Sequence, residues 1–322
     1  MDDMINRPIT RRRALQVGLG IGAGLALGRL PAHASGHGLL LRAGTNGLYT
    51  KPIPSTGEEI PIIGIGTARR YDVGTSEAEL APLREVIRAL PELGGRLVDT
   101  APSYGNAETV LGAIMSELGN RDQIFLATKV RQEEPEDALA EIEGSFQRLQ
   151  TDHFDLLMVH NLVGIEHKLP VLREMKEAGR IRYLGMSTSF EGQYDDFVAV
   201  MEREDMDFIQ VDYAIDNRGA EERILPLAAD RGMAVMTNLP FGRGRVFEAL
   251  GDQEIPGWAA EYGIESWAQF ALMFAASHPA VTCAIPGTAT LEYLEDNLGT
   301  ARTPRLPDAA TRRRMVELVE GA

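Results

Sequence analysis

The chain has 322 residues, 44% of them hydrophobic, and its 47 acidic and 32 basic residues give a formal net charge of −15. This length suits one large α/β barrel or two ordinary domains, and an acidic chain without a basic stripe beyond its N-terminus is not expected to bind nucleic acid. The one cysteine, Cys283, excludes an intrachain disulfide and lies in an apolar run typical of a buried strand.

The first 34 residues have the plan of an export signal. Arginines at positions 11–13 precede an uncharged run over residues 14–28, and residues 32–34 (Ala-His-Ala) form a small-x-small cleavage site. Paired arginines indicate the twin-arginine route, so we expect a signal peptide over residues 1–34, contact of the precursor with export machinery, and a periplasmic or otherwise exported protein. The run is shorter than the ~20 apolar residues that span a bilayer, so no stable membrane span is expected after cleavage. An uncleaved anchor or a basic tail on a cytoplasmic protein is the alternative.

Two short segments follow the signal before the main body of the chain. Residues 35–46 are rich in glycine and are interpreted as a linker. Residues 47–51 and 60–64 then flank a turn signal, Pro-Ser-Thr-Gly at 54–57. This pattern predicts a β-hairpin that caps the bottom of a barrel.

Strand and helix patterns alternate through the rest of the chain. Eight strands, each followed by a helix, predict a closed parallel (β/α)8 TIM barrel over residues 47–322, with an extra C-terminal helix at 307–319 packed outside it. The longest interruption, 239–263, separates the seventh strand from its helix, and a segment of that length is usually functional. The predicted strands cover residues 62–66, 96–99, 124–129, 154–159, 181–186, 208–213, 234–237 and 281–285. The predicted helices cover residues 76–90, 107–118, 135–149, 169–178, 193–204, 220–230, 266–276 and 290–300.

Polar residues terminate three consecutive predicted strands. Asp99, Lys129 and His160 each end an apolar run, and Tyr104 lies five positions after Asp99 on the following loop. Because the carboxyl ends of barrel strands open onto one face, these four side chains can converge. Each of them alone has an ordinary structural explanation, as a turn residue, a packing residue, a surface charge or a core histidine. Together at adjacent strand ends they favour a catalytic site.

The motifs around these residues resemble the aldo-keto reductase family. The matching pieces run in family order from about Ile62 to Asn297: Val98-Asp-Thr-Ala-Pro-Ser-Tyr-Gly105, Ala127-Thr-Lys-Val130, Met158-Val-His-Asn161, Gly185-Met-Ser-Thr-Ser189, Gln210 and Ile285-Pro-Gly-Thr288. The resemblance implies an NAD(P)H-dependent reductase of a small carbonyl substrate, with Asp99, Tyr104, Lys129 and His160 as its catalytic residues.

Carbonyl reduction assigns a distinct task to each of the four. Nicotinamide supplies the hydride, so the protein must supply orientation and a proton. Tyr104 is the expected proton donor, but a free phenol has a pKa near 10. An ammonium group ~4 Å away, that of Lys129, favours phenolate by up to roughly 4 kcal/mol at an effective dielectric constant of 20. Asp99 is expected to keep Lys129 charged, and His160 to orient the carbonyl oxygen.

The resemblance also implies where the nucleotide binds. Ser187 and Gln210 match the residues that hold the carboxamide, Thr188 replaces a usual Asn, and Asn238 stands where an aromatic residue often stacks on nicotinamide. Arg243 and Arg245 are expected to pair with phosphate oxygens. The other matching positions are Thr67, Asp99, Pro240, Gly242, Pro286, Gly287, Thr288, Tyr293 and Asn297.

NADPH is the expected cofactor, and NADH is possible. NADPH-preferring members commonly place Lys at the position of Gly287 and Arg at that of Tyr293, where both pair with the 2′-phosphate. No metal is expected, because His153, His167 and His278 lack ligand spacing. Two other readings stay open: a nucleotide-binding barrel that acts as a sensor or interaction module with little turnover, and another barrel enzyme with chance matches.

Overall fold

The computed structural model describes residues 47–251 and 253–322, so the predicted signal peptide (1–34) and linker (35–46) lie outside the described residues. Eight parallel strands, β3 to β10, each pair with the next in sequence, and helices connect them, which confirms the predicted (β/α)8 barrel. The strands are β1 (Thr50–Pro52), β2 (Glu59–Pro61), β3 (Ile65–Gly66), β4 (Leu97–Asp99), β5 (Phe125–Val130), β6 (Phe154–His160), β7 (Ile181–Ser187), β8 (Phe208–Asp212), β9 (Ala234–Asn238) and β10 (Cys283–Ala284). The helices are α1 (Glu77–Glu92), α2 (Ala107–Leu118), α3 (Pro135–Leu149), α4 (Ile165–Glu177), α5 (Tyr194–Arg203), α6 (Ile224–Asp230), α7 (Arg245–Leu250), α8 (Trp267–Ala276), α9 (Leu291–Gly299) and α10 (Ala309–Glu320).

The barrel closes where its first strand meets its last. Single parallel bridges join Ile63 to Ala284 of β10, and Gly66 of β3 to Gly287. The N–H of Gly66 donates to the carbonyl of Pro286 at 2.9 Å. A Cβ at Gly66 would lie 3.1 Å from the carbonyl oxygen of Ile285, so glycine permits this close backbone approach. Both strands are shorter than predicted: β3 has a two-residue ladder with β4 and β10 one with β9, and only isolated bridges join β3 and β10 across this seam.

The predicted hairpin is present at the bottom of the barrel. Strands β1 and β2 are antiparallel, and Ile53 and Ile60 are buried in the cluster that fills the barrel interior. Lys51 on β1 is buried and donates from Nζ to the carbonyls of Ala276, His278 and Val281 at 2.9, 2.8 and 2.6 Å. The hairpin is therefore bonded to the segment between α8 and β10.

Residue alternation along the strands decides which side chains enter the barrel. Phe125 and Ala127 of β5 belong to the interior cluster, whereas Leu126 and Val130 belong to the core between the strands and the helices. The same period of two runs through the neighbouring strands. The interior cluster contains Ile53, Ile60, Leu97, Phe125, Ala127, Leu156, Met158, Tyr183, Phe208, Ala234, Met236, Cys283 and Ile285, which confirms Cys283 as a buried strand residue.

Three segments differ from the sequence prediction. Helix α4 begins at Ile165 rather than residue 169, because Gly164 adopts a left-handed φ of 60° at its N-cap and Pro170 is accommodated inside the helix. The predicted helix over 220–230 is a 3-10 turn at Gly219–Glu221 followed by α6. The interruption at 239–263 contains α7 and a 3-10 helix at Gly257–Tyr262, whose buried residues pack in the core.

Candidate active site

The interior positions become polar at the carboxyl ends of the strands. Asp99, Lys129 and His160 each lie two residues beyond an interior apolar residue, at Leu97, Ala127 and Met158 respectively. The strand register pairs Asp99 with Ala127, Lys129 with Met158, and His160 with Ser187. These side chains therefore project from the apolar interior toward the mouth of the barrel, as the sequence predicted.

A buried ion pair forms the floor of this mouth. Lys129 Nζ donates to both carboxylate oxygens of Asp99 at 2.7 Å and to the carbonyl of Thr100 at 2.9 Å. The side chain of Lys129 is 0% exposed. Burial lowers the pKa of Lys129, but Asp99 and Tyr104 raise it by more, so the ammonium form is favoured. Gln210 Nε2 donates to Asp99 at 3.0 Å and supplies a further partner for the carboxylate.

Tyr104 is half-buried above the ion pair. Lys129 Nζ lies 5.1 Å from the centre of the Tyr104 ring, and the ring meets that of His160 edge-on, with centroids 6.0 Å apart. Burial raises the pKa of Tyr104; Lys129 lowers it and Asp99 raises it further. The net direction is upward, so the expectation that Lys129 would bring the phenol below its ordinary pKa is not met here. The phenol is protonated near neutral pH, the state a proton donor needs.

His160 is neutral near pH 7. Burial and then three cations lower its pKa to about 3; the cations are Lys129, Arg131 and Lys168. Its Nδ1 lies 3.4 Å from the hydroxyl of Ser103, a contact within hydrogen-bonding distance. Ser103, next to Tyr104 in the chain, was not singled out from the sequence, and its position within the loop motif was the only signal for it.

Glu108 braces the strand that carries Lys129. Its fully buried carboxylate accepts hydrogen bonds from Thr128 at 2.6 Å and Ser145 at 3.0 Å, and it pairs with Arg148 at 2.8 Å. Thr128 precedes Lys129 on β5 and faces the helices. This network joins α2, β5 and α3, and so fixes β5 directly below the ion pair.

The residues expected at the carboxamide, Ser187, Thr188 and Gln210, lie beside Asp99, and Asn238, from the position expected to stack on nicotinamide, contacts them. Thr188 Oγ1 donates to Gln193 at 2.7 Å, and Asn238 Nδ2 donates to the carbonyl of Thr188 at 3.2 Å. The side-chain oxygen of Asn238 is buried without a hydrogen-bond partner among the described residues. Ser187 and Gln210 are adjacent across β7 and β8. An orphaned amide oxygen in this position is an acceptor for an amide N–H, which fits a nicotinamide carboxamide.

A second set of residues expected to bind the nucleotide lies at the seam where β3 meets β10. Asn297 Nδ2 donates to Thr288 Oγ1 at 3.1 Å, and Thr288 donates to the carbonyl of Pro286 at 3.1 Å. Thr67 Oγ1 donates to the backbone carbonyl of Asp99 at 3.0 Å. Tyr293, in contrast, is 58% exposed on the outer face of α9.

The third predicted group occupies the segment after β9, where Pro240 is buried and precedes a 3-10 turn at Gly242–Gly244. Arg245 Nε pairs with Asp216 Oδ2 at 2.7 Å, so its guanidinium already has a carboxylate partner that the sequence prediction did not include. Arg243 makes no ion pair with any described residue. Both arginines border a cavity of about 530 Å³ that also meets Asp212.

Left-handed backbone is concentrated at the barrel mouth. Non-glycine residues in this region of φ cost free energy and cluster at functional sites. Within the described residues there are six, of which Gln150 ends α3 and the others lie in loops that follow barrel strands: Arg69, Asn161, Leu162, Leu239 and Arg243. The distribution marks this face, rather than the hairpin face, as the functional one.

A sequence model of the Aldo/keto reductase family matches residues 62–313. The chain belongs to the aldo/keto reductase family. This match spans the tetrad, the seam and the segment after β9, and it confirms the family expected from the motifs.

Individual relatives agree with the family match. Aldo-keto reductase YhdN from Bacillus subtilis is 36% identical over 58% of this chain, and the aligned region covers 60% of its own length. Methylglyoxal reductase YeaE from Escherichia coli is 30% identical, covering 78% of this chain and 89% of the relative. A crystal structure of an aldo/keto reductase from Klebsiella pneumoniae in complex with NADP and acetate superposes with a TM-score of 0.70 at 25% identity, covering 82% of this chain and 93% of that protein.

Two further properties of the described chain bear on its function. Over residues 47–251 and 253–322, no group of three or more His, Cys, Asp or Glu side chains has the arrangement of a metal site. No helix in the same ranges is long and apolar enough to cross a membrane.

Proposed function

We propose that this aldo/keto reductase is an exported enzyme that reduces a small aldehyde or ketone with NAD(P)H, and that Tyr104 donates the proton. One observation carries the proposal: a buried ammonium, held by both oxygens of Asp99, lies 5.1 Å from the ring of Tyr104, beside a neutral imidazole. Reductase names among the relatives, and NADP bound to the Klebsiella protein, support the same activity.

The residues around Asn238 fit the nicotinamide end of the cofactor. Asn238 offers an unused acceptor, and Ser187 and Gln210 supply a hydroxyl and an amide beside it. A bound NAD(P)H supplies a hydride to the carbonyl carbon of the substrate. The protein's own part is to place that carbon beside the nicotinamide and its oxygen near Tyr104 and His160.

Tyr104 completes the reduction by protonating the oxygen. Negative charge that develops on the carbonyl oxygen during reduction would be neutralised by the phenol proton of Tyr104, whose O–H bond breaks toward that oxygen. The phenolate left on Tyr104 is stabilised by the Lys129 ammonium, which its hydrogen bonds to both oxygens of Asp99 hold in position. The neutral His160 donates an N–H to the same substrate oxygen, and Tyr104 regains its proton from solvent.

NADPH is the proposed cofactor, and NADH the second. The absence of a side chain at Gly287 and of a charge at Tyr293 supports weak discrimination between them. The exposed ring of Tyr293 offers no charge to a 2′-phosphate.

Export is proposed from the N-terminal sequence alone. Residues 1–34 carry the arginines, the uncharged run and the small-x-small site expected of a twin-arginine signal, and the glycine-rich residues 35–46 are the proposed linker. Since this route moves folded chains, the barrel would close over its nucleotide before export. The proposed location of the mature protein is the periplasm or the cell exterior.

Replacement of Tyr104 tests the catalytic assignment. Tyr104→Phe should lower aldehyde reduction by at least ~100-fold, the low end for general acid catalysis, while nucleotide affinity changes little because the ring remains. Tyr71→Phe is the matched control, since the Tyr71 hydroxyl is buried without a partner among the described residues. Near-normal turnover of Tyr104→Phe would remove Tyr104 from this role. A wild-type protein that binds nucleotide but reduces no aldehyde would instead be a binding module.

A further inference from the structure

Few arginines of the described chain lack a partner. Most of their guanidinium groups contact a carboxylate, a carbonyl or an aromatic ring. Those without such a contact to a described residue are Arg69, Arg70, Arg131, Arg243 and Arg313. All of these except Arg313, which lies on α10, follow the carboxyl end of a barrel strand. In an acidic protein, unpaired cations thus collect at the barrel mouth.

Arg131 is the one of these that follows the strand carrying Lys129. Lys129 faces the barrel interior and Val130 ends β5 facing the helices; Arg131 follows on the loop beyond the strand, two residues past Lys129, at the mouth of the barrel. The backbone N–H groups of Arg131 and Gln132 donate to the carboxylate of Glu141 at 2.6 and 3.0 Å. Glu141 therefore holds the backbone of this loop and leaves the exposed guanidinium free.

The surroundings of His160 are positively charged. Burial lowers the pKa of the His160 ring, and the charges of Lys129, Arg131 and Lys168 lower it further. Lys129 is neutralised by Asp99, and Lys168 is buried and donates to the carbonyl of Val163 at 2.7 Å. Of the three, Arg131 is the exposed cation without a carboxylate partner among the described residues, so an incoming anion can reach it.

We propose that Arg131 binds a carboxylate of the substrate, so that the preferred substrates are aldehydes or ketones that also carry an acidic group. This rests on the proposed carbonyl reduction. A guanidinium offers a carboxylate two parallel N–H donors, which fix orientation as well as position. With the carboxylate held by Arg131 and the carbonyl oxygen by Tyr104 and His160, the substrate is anchored at two points, and the carbonyl carbon is presented to the nicotinamide in one pose.

Matched pairs of substrates isolate the charge. The probes are 3- and 4-carboxybenzaldehyde, each compared with its methyl ester, so that reactivity and shape stay similar while the anion is removed. The wild type should favour at least one acid over its ester by about 10-fold or more in kcat/KM, the value of one charge-assisted contact. Arg131→Met should lower kcat/KM for that acid about 10- to 100-fold, chiefly through KM, and change the ester about twofold or less. Arg131→Lys should recover part of the loss.

Two controls separate recognition from a general effect. Arg313→Met removes an unpaired arginine away from the mouth and should leave both acid and ester unchanged. The second control measures the Kd of benzoate and of benzamide for the protein loaded with NADP⁺, from the change in protein fluorescence. It tests the same preference for a carboxylate without turnover. Benzoate should bind more tightly, and Arg131→Met should abolish the difference.

The outcomes that oppose the inference are distinct from failure of the proposed function. Equal reduction of acid and ester by the wild type, or an equal loss on both in Arg131→Met, would overturn the role of Arg131 and leave carbonyl reduction standing. If none of the four aldehydes is reduced with NADPH or NADH while nucleotide still binds, the reductase function itself fails, and the inference falls with it.

Discussion

Replacing Lys129 with methionine separates the structural from the chemical task of the ion pair. The substitution keeps the apolar length of the side chain and removes a charge that is bonded to both oxygens of Asp99. Asp99 is then left buried with Gln210 as its remaining side-chain donor. Breaking a buried pair by removing one partner costs about 3–5 kcal/mol, because the other charge stays buried and unpaired.

The pH dependence of stability identifies the source of this cost. Burial already raises the pKa of Asp99, and Lys129 is the largest opposing influence. In Lys129→Met the folded-state pKa of Asp99 therefore rises further above its unfolded value of about 3.9. A folded pKa that is raised favours the native state at low pH and disfavours it as pH rises. Relative to the wild type, the free energy of unfolding of the variant should therefore fall by up to about 1.4 kcal/mol per pH unit over the interval between the folded-state pKa of Asp99 in the wild type and the higher one in the variant.

A double variant makes the test decisive. Chemical denaturation between pH 4 and 8 gives the unfolding free energies, and aldehyde reduction gives the activity. Lys129→Met/Asp99→Asn removes the lone carboxylate, so the excess pH slope should vanish and much of the stability should return, while activity stays at least ~100-fold down because the phenolate lacks its cation. If the double variant regains activity together with stability, Lys129 serves the fold alone and our account of Tyr104 is wrong.

Three further predictions concern the nucleotide, the imidazole and export. Wild-type discrimination between NADPH and NADH should lie within about 10–100-fold, and Gly287→Lys should raise the preference for NADPH about tenfold, measured as Kd for each nucleotide; a wild-type ratio above ~1,000 would show that another cation reaches the phosphate. Because the pKa of His160 is lowered to about 3, its ring should stay neutral from pH 5 to 8 in an NMR titration, and a midpoint near 6.5 would refute the burial argument. Changing both Arg11 and Arg12 to Lys should leave a folded precursor in the cytoplasm; cell fractionation in which the unaltered chain is itself found only in the cytosol would exclude export.

Much of the barrel and the placement of the tetrad could be predicted because both depend on local patterns. Asp99, Lys129 and His160 end apolar runs, and parallel strands must bring such ends to one face. The resemblance added Tyr104, whose loop has no periodicity of its own. The cysteine in its apolar run was placed correctly for the same reason: an uncharged strand residue is buried on either face.

What could not be predicted depends on contacts distant in the chain or on burial. The partner of Arg245 is Asp216, on the loop after another strand, and no local pattern joins them. From the sequence, the charge of Lys129 was expected to lower the pKa of Tyr104. Burial of the phenol raises that pKa by more, and burial is a property of the folded structure. The predicted helix start at residue 169 is wrong, because the left-handed Gly164 caps α4 and lets it begin at Ile165, five residues before Pro170.

The hydrogen bonds of Lys51 in the hairpin can form only after most of the chain has been synthesised. Lys51 is among the first barrel residues to leave the ribosome, yet its three acceptors, at Ala276, His278 and Val281, follow more than two hundred residues later. Until they emerge, the Lys51 ammonium lacks these acceptors, and the hairpin is held to the growing sheet by its other contacts, such as the ion pairs of Glu58 with Arg96 and Arg182. Contacts of this sequence separation form slowly, so the bonding of Lys51 to the end of α8 and the segment before β10 is a late step of folding, after most of the chain has been translated.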